Sequence, residues 1–380
     1  MGGLLVAGTE PHPGGRKALC LCGGGITGAM YEVGVLAALD DFFVDFDSTQ
    51  FDIYVGTSAG ALVAWLVASG VRPKRLCHAV LDPDDDFLDR ATRTDIFQID
   101  PRQAVGIARD LLSISLTHAY RATRGRSTLQ ELLADLADAL PAGIFSLDHY
   151  EKYLERLMRR HHLPRRFDEI KAQLYITAND LDSGHRAIFG QGPLREVPIA
   201  KAICASSAIA VFFEPMRIGN RDYIDGASGK SGHLDVALAH GADLLLTVNP
   251  RVPIRNDPEH EGLPTAIGGA MRLRDKGMVT VWEQSERMST KTKLHLGLRR
   301  YAAQYPRASI LLLEPREADA DMFIENPMNF AARRRIVRYG YESAAAALEE
   351  RRDEFAAALG RHRIAVNTAP LAARAAELWR

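Results

Sequence analysis

Residues 51–69 read FDIYVGTSAGALVAWLVAS, and the reading of this stretch decides the fold class. Phe51 to Val55 is a short, largely apolar run of the kind that forms a buried strand. Ala61 to Ser69 continues as an apolar helix, stopped by Gly70 and Pro73. Between them GTSAG, Gly56 to Gly60, must turn the chain sharply from strand to helix. Gly56 and Gly60 let the backbone crowd together there, and the turn exposes the Ser58 hydroxyl, with Thr57 and Ala59 on either side. The helix N-terminus that follows favours developing negative charge. In isolation the pentapeptide reads first as a glycine-rich connection with Ser58 as a helix N-cap, so its partners elsewhere in the chain carry the weight.

The same unit occurs upstream. Lys17 to Cys22 is an apolar run entering GGGITG, Gly23 to Gly28, and Ala29 to Leu39 has helical spacing of Met30, Val33, Leu36 and Ala37. A glycine loop between strand and helix can aim several backbone N–H groups at one anionic atom, with no Cβ in the way. A dinucleotide-binding loop has the same spacing. However, the second strand here ends in Gly56, Thr57 and Ser58 rather than in an acid, which removes the ribose anchor. No organic cofactor is expected.

Downstream, Leu174 to Ala178, Leu244 to Val248 and Ser309 to Leu313 read as strands, and Ile199 to Ser206 and His233 to His240 as helices. Strands alternating with helices predict an α/β fold, three layers α/β/α around a mainly parallel central sheet. Asp82 to Arg166 reads as a helical cap without clear strands. Asn326 to Arg380 reads as helical, with Ala344 to Leu359 a single amphipathic helix. The expected boundaries are a loose tail over 1–16, a main domain over 17–315 with an insert at about 82–166, and a helical extension over 316–380.

A third motif, Asp225-Gly226-Ala227, follows Tyr223 and Ile224. A serine hydroxyl needs a base within hydrogen-bond reach, and an aspartate can serve if it is desolvated and aimed. Alone, an Asp-Gly pair reads as a hairpin turn.

Taken in chain order, GGGITG, GTSAG and DGA resemble the patatin-like phospholipase family. LYITANDLDSGHRAIFG (Leu174 to Gly190) and AICASSAIAVFFEPMRIGNRDYIDGA (Ala202 to Ala227) extend the resemblance to roughly Lys17–Pro250. The resemblance implies a lipid acyl ester hydrolase, phospholipase A or lysophospholipase-like, acting on a lipid or lysolipid without metal or cofactor. It implies Ser58 as nucleophile and Asp225 as proton acceptor, with no catalytic histidine. The oxyanion hole falls in the loop of Gly23, Gly24, Gly25, Ile26 and Gly28, the amides of Gly24, Gly25 and Ile26 being the expected donors. Two positions depart from the family pattern: Thr27 stands where Arg or Lys is usual, and Ala210 where proline is common. The rival reading is a lipid-binding or scaffolding protein that keeps the fold with weak or no activity, and Thr27 is its best support.

Composition bounds the rest. At 380 residues, 47% apolar and 25% charged, the chain can bury a large core. Forty-seven Lys and Arg against 48 Asp and Glu leave a net charge of −1, which gives no global attraction for nucleic acid. Cys20, Cys22, Cys77 and Cys204 are too scattered for a disulfide framework and read as core residues in a reducing compartment. With no secretory signal and no bilayer-length apolar run, a cytoplasmic protein is expected, peripheral to a membrane at most. Asp82, Asp84, Asp85 and Asp86 read as a solvated loop rather than a metal site, and His161 and His162 as a solvated helix face. His233, His240 and His260 follow Asp225 in the order of a three-residue triad, an arrangement the short separation disfavours. Residues 268–300 hold eight Lys or Arg against three Asp or Glu, beside Met278, Val279, Val281 and Trp282. This segment, with Lys291, Lys293, Arg299 and Arg300, reads either as a patch for anionic lipid or as a solvated helix. Oligomeric state is not legible.

Overall fold

Strand alternation builds two cores, one on each face of a central sheet. The protein is described from a computed structural model over residues 3–6, 15–88, 101–122, 131, 142–257, 272–316 and 330–379. Nine strands form the sheet: β1 (Gly3–Val6), β2 (Arg16–Leu21), β3 (Ile53–Thr57), β4 (Gln173–Asp180), β5 (Arg186–Phe189), β6 (Met216–Ile218), β7 (Arg221–Asp225), β8 (Ala242–Val248) and β9 (Ser309–Leu313). Their order is β1-β9-β8-β2-β3-β4-β7-β6, with β5 on the other edge of β4. The run from β9 to β4 is parallel throughout. Leu19 and Leu21 of β2, Leu244 and Leu246 of β8, and Leu311 and Leu313 of β9 enter one core. Ala18 and Cys20, Leu245, and Ile310 and Leu312 enter the other. Burial on both faces is what makes these strands near-continuous apolar runs.

The first core is covered by α1 (Gly25–Phe42), α2 (Ala59–Ala68), α3 (Ile199–Ser207) and α6 (Arg333–Glu350), the second by α4 (Leu234–Ala239) and α5 (Met278–Gln304). This is the expected three-layer architecture around a mostly parallel sheet. All four cysteines are buried and unpaired.

Several local expectations are corrected. Gly3–Val6, placed in a loose tail, pairs antiparallel with β9, from Gly3 opposite Leu313 to Val6 opposite Ile310. Within the insert, the described residues include helices Pro101–Ala122 and Asp148–Arg160 and also a short strand, Gly143–Phe145, paired parallel with Val211–Phe213. The single helix expected over Ala344–Leu359 is two, because Arg351 leaves helical geometry at φ −122° and a second helix, Arg352–Gly360, begins beyond it. That break lets Phe355 pack edge-on against Phe42 at 6.5 Å. Helix α6 shares the main core with α1. Their backbones approach so closely that a Cβ on Gly34 would lie 2.1 Å from the Val337 carbonyl oxygen, and one on Gly340 2.5 Å from that of Tyr31.

Candidate active site

One edge of β4 brings the two key residues together. Strand β3 runs parallel to it and ends with Thr57 opposite Thr177. Strand β7 runs antiparallel to it and ends with Asp225 opposite Ala178. Strand β5 occupies the other edge over Ile176–Asn179, so β3 and β7 must share this one. They arrive from opposite directions at consecutive residues, and Ser58 and Asp225 meet where they stop. Both are 4% exposed and line one cavity, and the Ser58 side chain is near enough to the Asp225 carboxylate to favour its charged form.

The turn at Ser58 is strained and held. Its φ of 55° and ψ of −134° lie outside the regions a residue with a Cβ adopts easily. Its N–H donates to Ser206 Oγ at 2.7 Å, and Ser206 Oγ donates onward to the Thr177 carbonyl at 2.6 Å. The Thr57 and Thr177 hydroxyls share a bond of 2.8 Å. Glycines then press the two loops together: a Cβ on Gly23 (φ 72°) would lie 2.3 Å from the Thr57 carbonyl, and one on Gly60 2.7 Å from the Gly23 nitrogen.

Backbone donors in the glycine loop divide into spent and unspent. The Gly23 N–H donates to Glu32 Oε1 at 2.7 Å, and the Gly28 N–H to the Gly24 carbonyl at 3.2 Å. This narrows the expected loop, since Gly23 and Gly28 serve as turn and packing residues and their amides are taken. The amides of Gly24, Gly25 and Ile26 stand at the cap and first turn of α1, where no intrahelical acceptor exists. The Ala59 amide is in the same position at the start of α2. Glu32 is fully buried, without a cationic partner among the described residues, and burial pushes its carboxyl up to about 8. At neutral pH it is a protonated bracket for the loop.

Burial also raises the pKa of Asp225 above the usual aspartate value, opposed by the Ser58 side chain and by a hydrogen bond from the Ala227 amide, which reaches Oδ1 at 2.8 Å. Behind it, Asn179 Nδ2 donates to the Asp225 carbonyl at 2.8 Å and to that of Gly226 at 3.3 Å. A Cβ on Gly226 would lie 2.4 Å from the Thr177 carbonyl.

His233 is no triad member. Its Nδ1 faces Arg186 at 3.2 Å and its Nε2 faces the Gly226 carbonyl at 3.2 Å, so both ring nitrogens are engaged and it supports the Asp-Gly turn. Burial lowers its pKa to about 4, which keeps it neutral. His240 Nδ1 is bonded to the Val236 carbonyl at 2.8 Å, and His260 lies outside the described residues. In the acidic loop, Asp85 is paired with Arg75 and His78, and Asp86 with Arg160.

Two cavities meet at this point. One, of about 190 Å³, is lined by Gly25, Thr27, Ser58, Asp225, Arg251 and, from α5, Trp282. The other, of about 630 Å³, is mainly apolar and lined by Ile26, Ala59, Leu62, Leu66, Val80 and Tyr153. The wall between them is the first turn of α1 and the Ser58–Ala59 step. Sequence reasoning missed Ser206, Asn179, Glu32 and Arg251 as parts of the site. Glu32 carries a faint signal, as the one acid in the apolar first half of its helix, and Ser206 sits in the Ala-Ser-Ser helix already quoted.

The chain is similar to several known proteins. A probable lipid hydrolase of Invertebrate iridescent virus 6 is 22% identical over 231 residues, 59% of this chain and 64% of that protein, so the chain spans less than two thirds of its relative's length. Among solved structures, VipD from Legionella pneumophila aligns at 16% identity and a TM-score of 0.38, covering 88% of this chain and 67% of that one. ExoU of Pseudomonas aeruginosa, solved with SpcU, aligns at 17% identity and a TM-score of 0.29, covering 90% and 62%. The family of patatin-like phospholipases matches residues 19–237, from the strand before the glycine loop to beyond the Asp-Gly-Ala turn. That match spans more than half of the chain, which therefore belongs to the patatin-like phospholipase family.

Proposed function

We propose that the protein hydrolyses carboxylic esters of lipids through a Ser58–Asp225 dyad. The observation that carries this reading is the meeting of β3 and β7 on one edge of β4, which delivers the hydroxyl to a buried carboxylate beside unspent amides. Asp225 accepts the Ser58 proton as Oγ attacks the ester carbonyl, and the amides of Gly24, Gly25 and Ile26, with that of Ala59, receive the oxyanion. Collapse expels the alcohol, which takes up the proton from Asp225. Water then attacks the acyl-enzyme with the same aspartate as base, releasing a fatty acid. The apolar cavity beside Ile26 and Ala59 suits the acyl chain, because its lining is mainly apolar and includes the residue next to Ser58 and one of the proposed oxyanion donors. Among the described residues no helix is long and apolar enough to cross a membrane. Contact with a lipid surface falls instead to exposed Met278, Val281 and Trp282 at the start of α5, next to the cavity mouth. Lys293, exposed on the same helix, donates to the Ser228 carbonyl at 3.2 Å.

The test is turnover of short- and long-chain esters and labelling by a fluorophosphonate, with Ser58→Ala and Asp225→Asn beside the wild type. Both variants are expected to lose turnover and labelling. Equal rates in all three proteins would end the dyad reading.

A further inference from the structure

Arg251 stands beside the reacting groups, where the Asp225 carboxylate acts on its charge. It follows β8, where Asn249 Oδ1 accepts its backbone N–H at 3.1 Å. Its stem crosses the glycine loop, with Cγ 3.0 Å from where a Cβ on Gly24 would stand. It lines the same cavity as Ser58 and Asp225. Among the described residues its guanidinium makes no hydrogen bond and no ion pair. Of the acids that act on its charge, Asp225 is the base of the proposed dyad, Glu283 is bonded to Arg287 Nε at 2.7 Å, and Glu286 faces the cavity from α5 without closing on Arg251. Burial lowers the Arg251 pKa, and the carboxylates of Asp225, Glu283 and Glu286 offset that only in part.

Such a group is costly unless an anion completes it, and a guanidinium matches the paired oxygens of a phosphate. The position also answers the vacancy of charge at Thr27, which is 1% exposed and lines the same cavity. We propose that Arg251 binds the phosphodiester of a glycerophospholipid substrate and is the residue by which this site prefers phospholipids to uncharged acylglycerols. The assignment rests on the ester-hydrolase reading above and adds the head group to it. The phosphate then lies on the Arg251 side of Ser58 and the acyl chain on the Ile26 side, with the scissile ester between.

Binding to Ser58→Ala protein needs no turnover, so it decides the assignment even if ester hydrolysis is not found. Calorimetry would compare dihexanoylphosphatidylcholine, dihexanoylglycerol and inorganic phosphate, in the Ser58→Ala background with Arg251, Arg251→Lys or Arg251→Gln. Thermal midpoints would establish that each variant is folded. Arg251→Gln is expected to reduce the preference for the phospholipid over the acylglycerol about 10- to 100-fold, the range for a desolvated charged hydrogen bond. Arg251→Lys should retain an intermediate preference. In the Ser58-containing enzyme, the ratio of kcat/KM for the two lipids should fall in parallel. A preference unchanged by Arg251→Gln overturns the proposal. So does inorganic phosphate binding as tightly as the phospholipid in an Arg251-dependent manner, which would assign the site to free phosphate.

Discussion

Replacing Ser206 by alanine removes the clamp on the nucleophile's strained turn while touching neither Ser58 nor Asp225. The Ser58 N–H loses its acceptor at 2.7 Å in a buried place, and the Thr177 carbonyl loses a donor at 2.6 Å. A buried donor left unpaired costs about 1–3 kcal/mol, and a net hydrogen bond about 1 kcal/mol, so Ser206→Ala should destabilise the fold by roughly 2–4 kcal/mol. The strain at φ 55° is itself of order 1–3 kcal/mol, and without its clamp the turn can relax and carry Oγ off line. A displacement near 1 Å costs on the order of 100-fold in rate. Ser207→Ala is the matched control, since Ser207 Oγ is buried without a hydrogen-bond partner and its removal should be neutral or stabilising. The assays are urea unfolding and the second-order rate of fluorophosphonate labelling, measured for both variants. If Ser206→Ala and Ser207→Ala behave alike in both, the hydrogen-bond relay does not hold the nucleophile.

Glu32→Gln should keep the bond to the Gly23 amide through its carbonyl oxygen but abolish a pH dependence of stability. Because the folded pKa of about 8 is above the unfolded value, the wild type loses about 1.4 kcal/mol per pH unit from this group as pH rises through that window. Urea unfolding between pH 5.5 and 8.5 should show the variant gaining on the wild type across the range, whereas parallel curves would refute the assignment. The acid limb of kcat/KM should lie above the ordinary aspartate range near 4, because Asp225 must lose its proton against burial, and activity falls as pH drops through its raised pKa. His233→Asn should leave the position of that limb unchanged while lowering stability; a shifted limb would return the histidine to proton transfer. Gly34→Ala should destabilise the protein by more than about 2 kcal/mol, since its methyl meets the Val337 backbone at 2.1 Å, and wild-type stability would show that α6 yields.

What the chain displayed and what it hid follow from the two kinds of strand. The five strands read from sequence are the five parallel ones, whose runs such as SILLL and ADLLLTV are apolar because both faces are covered. The four that escaped, β1, β5, β6 and β7, are all antiparallel and lie at the margins of the sheet. RDYID in β7 is a case in point, with only Tyr223 and Asp225 buried and a charge at either end. Asp225 was identified from its Asp-Gly-Ala motif, yet nothing local announced that its strand would run against β4 and stop one residue beyond Thr57. The nucleophile, its base and the glycine loop were thus readable as motifs, since each needs particular residues at fixed spacing. The parts that aim them were not. Ser206, Asn179, Glu32 and Arg251 reach the site across 148, 46, 9 and no fixed number of residues respectively, and each bonds to backbone or to nothing. A single serine, asparagine, glutamate or arginine carries no pattern of its own. That Arg251 shares a cavity with Thr27, Ser58 and Asp225 is apparent in three dimensions alone.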